Sequence, residues 1–342
     1  MLIIFQRKIP HYRKKLFEKL SFEKPIKLVL LTNPKFKLNL SKSSQIYVIR
    51  NKKIFNFFYI FNYRYFLFSK DKVFILEADL RFSPLILLLI LLRKKVYLWG
   101  IWETKNFIAN YLRKLFVKFS YGSIFYSVSH LNSYSSIKSS NLILARNTLY
   151  VDKKITLQSY EIDIDERDSF LFVGSLVKRK KIDLLINSWK FLKEKKAIKS
   201  KLKLKIIGDG KELVNLKKLV EEYNLNDSII FLGAIKDEKE LKEHYFKSLA
   251  SCCLGQSGLS VVQSLLFGVP FVCMKDCHSG GEKDNIINQE TGFLCFDYEE
   301  FNYRLEQLAK KEYPLIYKKS ADYALRNLMI SDMIRSLSVS DN

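Results

Sequence analysis

Short, unbroken apolar runs separated by basic and mixed stretches mark the first half of the chain. LIIF, IKLVLLT, SQIYVIR, KVFILEA, KKVYLWG and SIFYSVS each predict a strand covered on both faces, since no alternate position is left polar for solvent. The stretches between them are long enough for crossovers, and strands that alternate with helices form parallel sheets. The second half repeats the pattern with clearer helices. SFLFVG, KLKLKIIG, SIIFLG, ASCCLG and PFVCM predict strands. Between them Ile182, Leu185, Ile186, Trp189 and Leu192 recur at helical spacing, and ELVNLKKLVEEYN, KELKEHYFKSL and LSVVQSLLFG read as further helices. The whole chain predicts an α/β protein built from βα units.

Length and composition set the scale. At ~150 residues per domain, a chain of 342 residues predicts two domains. With 48% hydrophobic residues, 12 Gly and 6 Pro, collagen-like, low-complexity and disordered classes are excluded. From Tyr150 to Ser169 the composition turns acidic and loses its large aliphatics, which places a boundary there. Asp163 and Asp165 in that stretch have the D-x-D spacing of some metal-dependent transferases; in a polar linker they read as solvated surface.

Charge divides the two halves. Residues 1–150 hold 27 Lys and Arg against 6 Asp and Glu, a net +21, whereas residues 151–342 carry only +2. Such asymmetry predicts a polyanion or an anionic membrane surface as the partner of the front half. The segment 55–68 (FNFFYIFNYRYFLF), with nine aromatic residues in fourteen, predicts either a headgroup-layer contact or a core helix. The longest uncharged aliphatic run, Leu85 to Leu92, is too short for a bilayer core of ~30 Å. The five cysteines (Cys252, Cys253, Cys273, Cys277 and Cys295) lie only in the rear half and follow no signal peptide, so they predict reduced thiols in a cytoplasmic protein. Cys273 and Cys277 lack a second close pair with His to complete a tetrahedral metal site.

Ten of the twelve glycines lie from Gly174 onward, at the predicted strand ends. Ligands of open parallel sheets sit at the carboxyl ends of strands, where a helix N-terminus can hold a phosphate. In GQSGLSVVQSLLFGVP, Gly255 and Gly258 loosen a strand-to-helix turn, and the backbone from Leu259 and Ser260 onward offers an anion site.

The series FLFVG, the basic cluster Lys178 to Lys181, IIGDG, FLGAI, GQSGL, GVPFV, a GGE loop at Gly280 to Glu282 and TGFL resembles, in order and spacing, the nucleotide-sugar domain of glycosyltransferase family 4, the retaining group with the GT-B architecture. The resemblance covers residues 169 to about 310. In front, FQRKIPHYRKKLFEKL, YLWG and RNTLY resemble the acceptor domain of members that assemble bacterial polysaccharides. The implied fold is α/β GT-B, two Rossmann-like domains facing a central cleft. Residues 1–155 would be the acceptor domain, 156–168 a linker, 169–320 the nucleotide-sugar domain, and 321–342 a C-terminal helix crossing back to the first domain.

The resemblance also implies roles. The family's glycine falls at Gly174, its arginine at Ser175, its lysine at Lys180 and its downstream glycine at Lys181. Lys180 would stabilise the departing diphosphate. The family's two glutamates, eight residues apart, fall at Gly255 and Gln263. An amide at Gln263 retains an acceptor and adds donors for ribose hydroxyls, but Gly255 cannot contact the donor sugar. Glu282 would compensate in part or cap a helix. Gly208 and Ile235 would flank the nucleotide, along with Gly258, Leu259 and Ser260. His11 and Arg13, after the first strand, would stand on the acceptor side.

The expected activity is retaining transfer from a nucleotide diphosphate sugar to a growing lipid-linked surface glycan such as lipopolysaccharide or capsule. The enzyme would require no metal or other cofactor and sit peripherally on the inner face of the cytoplasmic membrane. A nucleic-acid-binding protein would explain the basic aromatic front half but leaves the rear motif series unused, so nucleic acid is not an expected partner. A catalytically silent GT-B partner subunit would explain the missing glutamates.

Overall fold

The computed structural model describes residues 1–54, 58–61, 73–101, 106–137 and 141–338. They form two compact units. One is Met1–Tyr150 with the chain from Ile330 onward; the other is Val151–Met329.

In the first unit, β1 (Leu2–Gln6), β2 (Ile26–Leu30) and β3 (Gln45–Val48) precede an antiparallel hairpin of β4 (Asn51–Ile54) and β5 (Phe58–Phe61). Then come β6 (Val73–Glu77), β7 (Lys95–Ile101), β8 (Gly122–Phe125) and β9 (Asn141–Leu144). Apart from the hairpin these strands make one parallel sheet of order β3-β2-β1-β6-β7-β8-β9. The uninterrupted apolar character of β1 has a direct cause. Leu2 and Ile4 face one core with Leu16, Phe17 and Leu20, while Ile3 and Phe5 face another with Phe82, Leu85 and Leu89. A strand buried on both faces has no solvent side to leave polar.

The second unit has β10 (Ser169–Val173), β11 (Lys203–Ile207), β12 (Ile229–Gly233), β13 (Ser248–Cys253), β14 (Phe271–Met274) and β15 (Gly292–Cys295). All pair in parallel, in the order β12-β11-β10-β13-β14-β15. Both sheets run outward from their first strand and reverse beside it, the doubly wound plan whose crevice opens where the order switches. That crevice lies between β1 and β6 in one unit and between β10 and β13 in the other.

Three expectations need correction. The segment 156–168 is not a linker but part of the second unit. Thr156 is buried and donates to the Leu266 carbonyl at 2.7 Å. Arg167 is 2% exposed, donates to the Ser248 carbonyl at 2.7 Å and lies 3.9 Å from the Tyr317 ring centre. Polar composition hid a segment held by polar bonds. The C-terminal part is two helices, Ile316–Asn327 and Ile330–Leu337. Only the second belongs to the first unit, where Ile330, Met333, Ile334 and Leu337 join the core beside Leu16 and Leu20. Of the aromatic segment 55–68, Phe58–Phe61 is a strand rather than a helix; residues 55–57 and 62–68 lie outside the described residues.

Candidate active site at the strand switch of the second unit

The chain leaves β10 through Gly174 and Ser175 and turns through a single 3-10 turn, Lys178–Lys180, before the helix Ile182–Glu194. It leaves β13 through Leu254 and Gly255 and enters the helix Leu259–Leu266. The two turns flank the switch and interlock. Lys180 Nζ donates to the Gln256 carbonyl at 2.6 Å, and the Gln256 amide donates to the Arg179 carbonyl at 2.8 Å. Lys180 is thereby half-buried with its ammonium held at the mouth of the crevice.

Glycines permit this closeness. A Cβ at Gly255 would lie 2.3 Å from the Arg179 carbonyl oxygen and 2.4 Å from the Lys180 carbonyl carbon, so the 178–181 turn occupies the space of any side chain there. A Cβ at Gly208 would lie 1.8 Å from the Gly174 carbonyl oxygen, which welds the ends of β10 and β11 together. Gly174 lies under the Lys180 stem, 3.7 Å from its Cε to an ideal Cβ. Lys181 adopts the left-handed conformation, φ 50° and ψ 47°. At this position the resemblance expects glycine, and the backbone is of the kind glycine adopts without penalty while other residues lose ~1–2 kcal/mol. A Lys181→Gly exchange is therefore expected to stabilise the folded chain by about 0.5 kcal/mol after the entropy glycine adds to the unfolded state. The reading is a small rise in the urea midpoint; a fall would show that Lys181 makes compensating contacts.

Gly258 caps the helix Leu259–Leu266. No side chain caps this helix, no acidic residue lies in its first turn, and a Cβ at Gly258 would meet no atom within 4 Å. Helix N-termini of this kind favour anions. The Ser257 amide donates to the His278 carbonyl at 3.1 Å, tying the turn to the GGE loop. In that loop Glu282 is 6% exposed, and its Oε2 accepts from Ser279 Oγ at 3.1 Å. Ser279 Oγ in turn accepts the amides of Gly281 and Lys283, both at 3.2 Å. Ser279 thus holds two amides of the loop, and the Glu282 carboxylate holds Ser279.

Gln263 stands one turn into the helix, where its Oε1 accepts from Tyr245 OH at 3.3 Å. Tyr245 is buried and stacks on Phe267 at 4.6 Å. With that bond made, what Gln263 has in excess is its amide NH2 donors. Ile235 follows the edge strand β12, half-buried two residues past Gly233; Gly233 itself joins the cluster, accepting the Gly208 amide at 2.7 Å. Ser175 is exposed. The switch therefore gathers Gly174, Lys180, Gly208, Gly255 and the 258–260 turn, while Ile235 lies farther along the sheet edge. Sequence reasoning missed the Gln256 carbonyl, which any residue type supplies, and Tyr245, whose helix gives no sign of a polar partner.

Behind the turn, Cys273 and Cys277 lie 3.8 Å apart, sulfur to sulfur. Their shared hydrogen bond lowers the Cys277 thiol. All five cysteines are free and buried. Asp163 and Asp165 form a surface turn: Asp163 accepts the Asp165 amide at 2.8 Å, and Asp165 pairs with Lys311.

In the first unit, His11 is exposed on the 3-10 turn His11–Arg13, its ring edge-on to Phe36 at 5.5 Å. Arg13, expected on the acceptor side, is turned into the unit and is 6% exposed. Its guanidinium donates to Gln6 Oε1 at 3.2 Å and to Tyr126 OH, and lies 4.4 Å from the Trp99 ring centre. Burial pushes the Tyr126 phenol up to about 12, with Arg13 opposing. Arg13 ties together the ends of β1, β7 and β8, and His11 remains the outward group.

A family model described as glycosyl transferases group 1 matches residues 156–326, half of the chain. The chain belongs to that family. An uncharacterized glycosyltransferase of Haemophilus influenzae is 33% identical over 134 residues, 38% of this chain and 35% of the relative. The match thus spans about a third of that relative's length. Among solved structures, HepE of Anabaena in complex with UDP superposes with a TM-score of 0.70 at 12% identity, covering 98% of each chain. The lipopolysaccharide outer core galactosyltransferase WaaB, in its apo form, gives the same TM-score, identity and coverage. At such identity the likeness is one of fold, and the fold of this group 1 chain is the GT-B type with two parallel-sheet α/β units.

Proposed function

We propose that the protein is a retaining glycosyltransferase that takes a hexose or hexose derivative from a nucleoside diphosphate sugar and delivers it to a glycan or lipid-linked glycan at an anionic membrane surface. The observation that carries the reading is the Lys180 ammonium, tethered to the Gln256 carbonyl at 2.6 Å beside the helix N-terminus at Gly258. A cation and an uncapped helix end at a strand switch suit a diphosphate. The UDP in the HepE complex supports a nucleotide donor.

In the reaction the bond between the anomeric carbon and the diphosphate oxygen breaks, and the electron pair leaves with the diphosphate. Lys180 and the amides at Gly258 to Ser260 stabilise that charge, so the proposed step requires no metal. The acceptor hydroxyl adds to the same face of the sugar and releases its proton late, to the departing diphosphate oxygen on that face. Gln263 offers its NH2 to the ribose hydroxyls while Tyr245 holds its oxygen.

A thermal-shift panel of UDP, GDP, CDP and their sugars tests the reading, because a ligand bound only by the folded state raises its stability. A shift from one family of nucleotides is expected; no shift with any of them contradicts the proposal. Binding without turnover of the cognate sugar would favour a silent partner subunit, the role suggested by glycine at position 255. Gln263→Ala is expected to weaken nucleotide affinity by ~1 kcal/mol, one hydrogen bond's worth, measured by titration calorimetry. Gln263→Glu is expected to be tolerated, since one carboxylate oxygen accepts from Tyr245 and the other accepts from a ribose hydroxyl in place of the NH2 contact. Equal affinity in Gln263→Ala would move the ribose elsewhere.

A further inference from the structure

The helix Phe107–Phe119 is apolar on its outward side as well as where it meets the core. Its start is firm, with Asn106 Oδ1 accepting the Ala109 amide at 3.0 Å. The side turned toward the unit carries Asn110 and Arg113, joined by a 3.2 Å hydrogen bond, beside Val117, which is buried, and Phe116, which packs half-buried on the core. Arg113 lines a small cavity together with Asp79, Ile86 and Leu98. The outward side carries the large apolar residues: Phe107 is 81% exposed, Ile108 68%, Tyr111 56%, Leu112 39% and Phe119 61%. These positions recur at one, four, five and twelve residues from Phe107, a single stripe along one face. Lys114 and Lys118 are exposed among them.

A second helix of the same unit also carries apolar residues outward. On and just past the helix Ser83–Leu91, Leu87 is 50% exposed and Leu91 79%, with Leu92 and Arg93 following. Where the two helices end, a concavity of about 550 Å³ is lined by Arg93, Lys94, Lys95, Phe119 and Tyr121. Apolar residues at this exposure are not left in water by a monomer without reason, and here they are interleaved with cations. Rings and aliphatic chains that enter the acyl boundary, with basic groups at headgroup height, are the pattern of a helix lying in a bilayer surface. The charge selects the occupant. Residues 1–150 carry +21, which attracts anionic lipid over about a Debye length and repels a second copy of the same face. Between the rings, the aliphatic Ile108, Leu112, Leu87 and Leu91 offer no stacking surface for bases, which favours an acyl boundary over single-stranded nucleic acid. Among the described residues no helix is long and apolar enough to cross a membrane, so the contact lies on the surface.

We propose that the outward face of Phe107–Phe119, with the Arg93–Lys95 concavity at its C-terminal end, is the surface by which this protein docks on an anionic lipid bilayer. The proposal rests on the membrane-acceptor reading above and assigns its surface. The apolar stripe inserts shallowly, and the concavity receives lipid phosphates.

The test is flotation of the full chain with phosphatidylglycerol–phosphatidylcholine vesicles and with phosphatidylcholine alone, at low and high salt. Wild type is expected to float with the anionic vesicles at low salt and to be released in large part at high salt. Phe107→Asn combined with Ile108→Asn changes two exposed side chains and is expected to lower the bound fraction at least tenfold while leaving the nucleotide-induced thermal shift unchanged. Arg93→Gln combined with Lys118→Gln is expected to reduce binding to anionic vesicles several-fold. If wild type floats and the apolar double variant floats equally, the membrane reading stands and this surface is wrong. If wild type floats with neither vesicle, both fall. A concentration-dependent dimer that the double variant dissolves, without flotation, would identify a second copy as the occupant and overturn the proposal.

Discussion

Restoring the family's glutamate, Gly255→Glu, is expected to abolish nucleotide binding rather than improve it. A Cβ at this position would stand 2.3 Å from the Arg179 oxygen and 2.4 Å from the Lys180 carbonyl carbon. Both are backbone atoms of a turn fixed by the bonds of Lys180 and Gln256. A flexible side chain can swing away from such an intrusion, but a turn held at both ends cannot. Overpacking of ordinary cores costs ~1–3 kcal/mol, and collision with a tethered backbone belongs at or above the top of that range. The urea midpoint should fall by a corresponding amount, and the thermal shift with nucleotide should disappear because Lys180 is displaced with its turn. Wild-type stability with tighter nucleotide binding would show that the 178–181 turn is free to withdraw.

The second large effect concerns Lys180 itself. Lys180→Ala is expected to reduce turnover on the order of 10²-fold or more by removing charge from the departing diphosphate. The same exchange also removes the bond to the Gln256 carbonyl, so alanine alone leaves two explanations. Lys180→Gln separates them, since an amide can donate to that carbonyl but carries no charge. If charge is the role, glutamine is as slow as alanine. Recovery of most of the rate in Lys180→Gln would make the residue a tether, and an unaffected Lys180→Ala would pass the role to Arg179 or Lys181. Steady-state rates with the sugar of the nucleotide that binds supply the comparison.

The strands were legible for a physical reason. A parallel strand covered on both faces must be apolar at every position, and LIIF or SFLFV cannot be mistaken for a surface element. The strand order was not legible, because apolar runs do not say which neighbours pair. The two edge strands of the first sheet were the misread ones: SQIYVIR was read as covered on both faces, yet β3 is exposed at all four positions, and β9, exposed or half-buried, was not read as a strand, because an edge strand lacks a neighbour on one side. The segment 156–168 was misread because Thr156 and Arg167 are buried by bonds to carbonyls, a partner that composition does not reveal. The inward turn of Arg13 was not legible for a related reason: a basic residue after the first strand suggests a ligand contact, and only the packing of Gln6, Trp99 and Tyr126 shows which way it points. At the candidate site, the motif series located the two turns. It could not reveal that Lys181 is left-handed, that Gly255 is closed over by backbone, or that Gln263 already has a partner in Tyr245.

The reading that the donor nucleotide is held at the strand switch of the second unit is tested most directly by amide hydrogen exchange of the full chain, with and without saturating amounts of the nucleoside diphosphate that gives the largest thermal shift. Slowed exchange should concentrate in residues 174–181 and 255–263, where the amides of Gly258 to Ser260 and the turn carrying Lys180 meet the diphosphate. Protection centred on the strand ends of the first unit, or none in these two segments at saturation, would contradict the account.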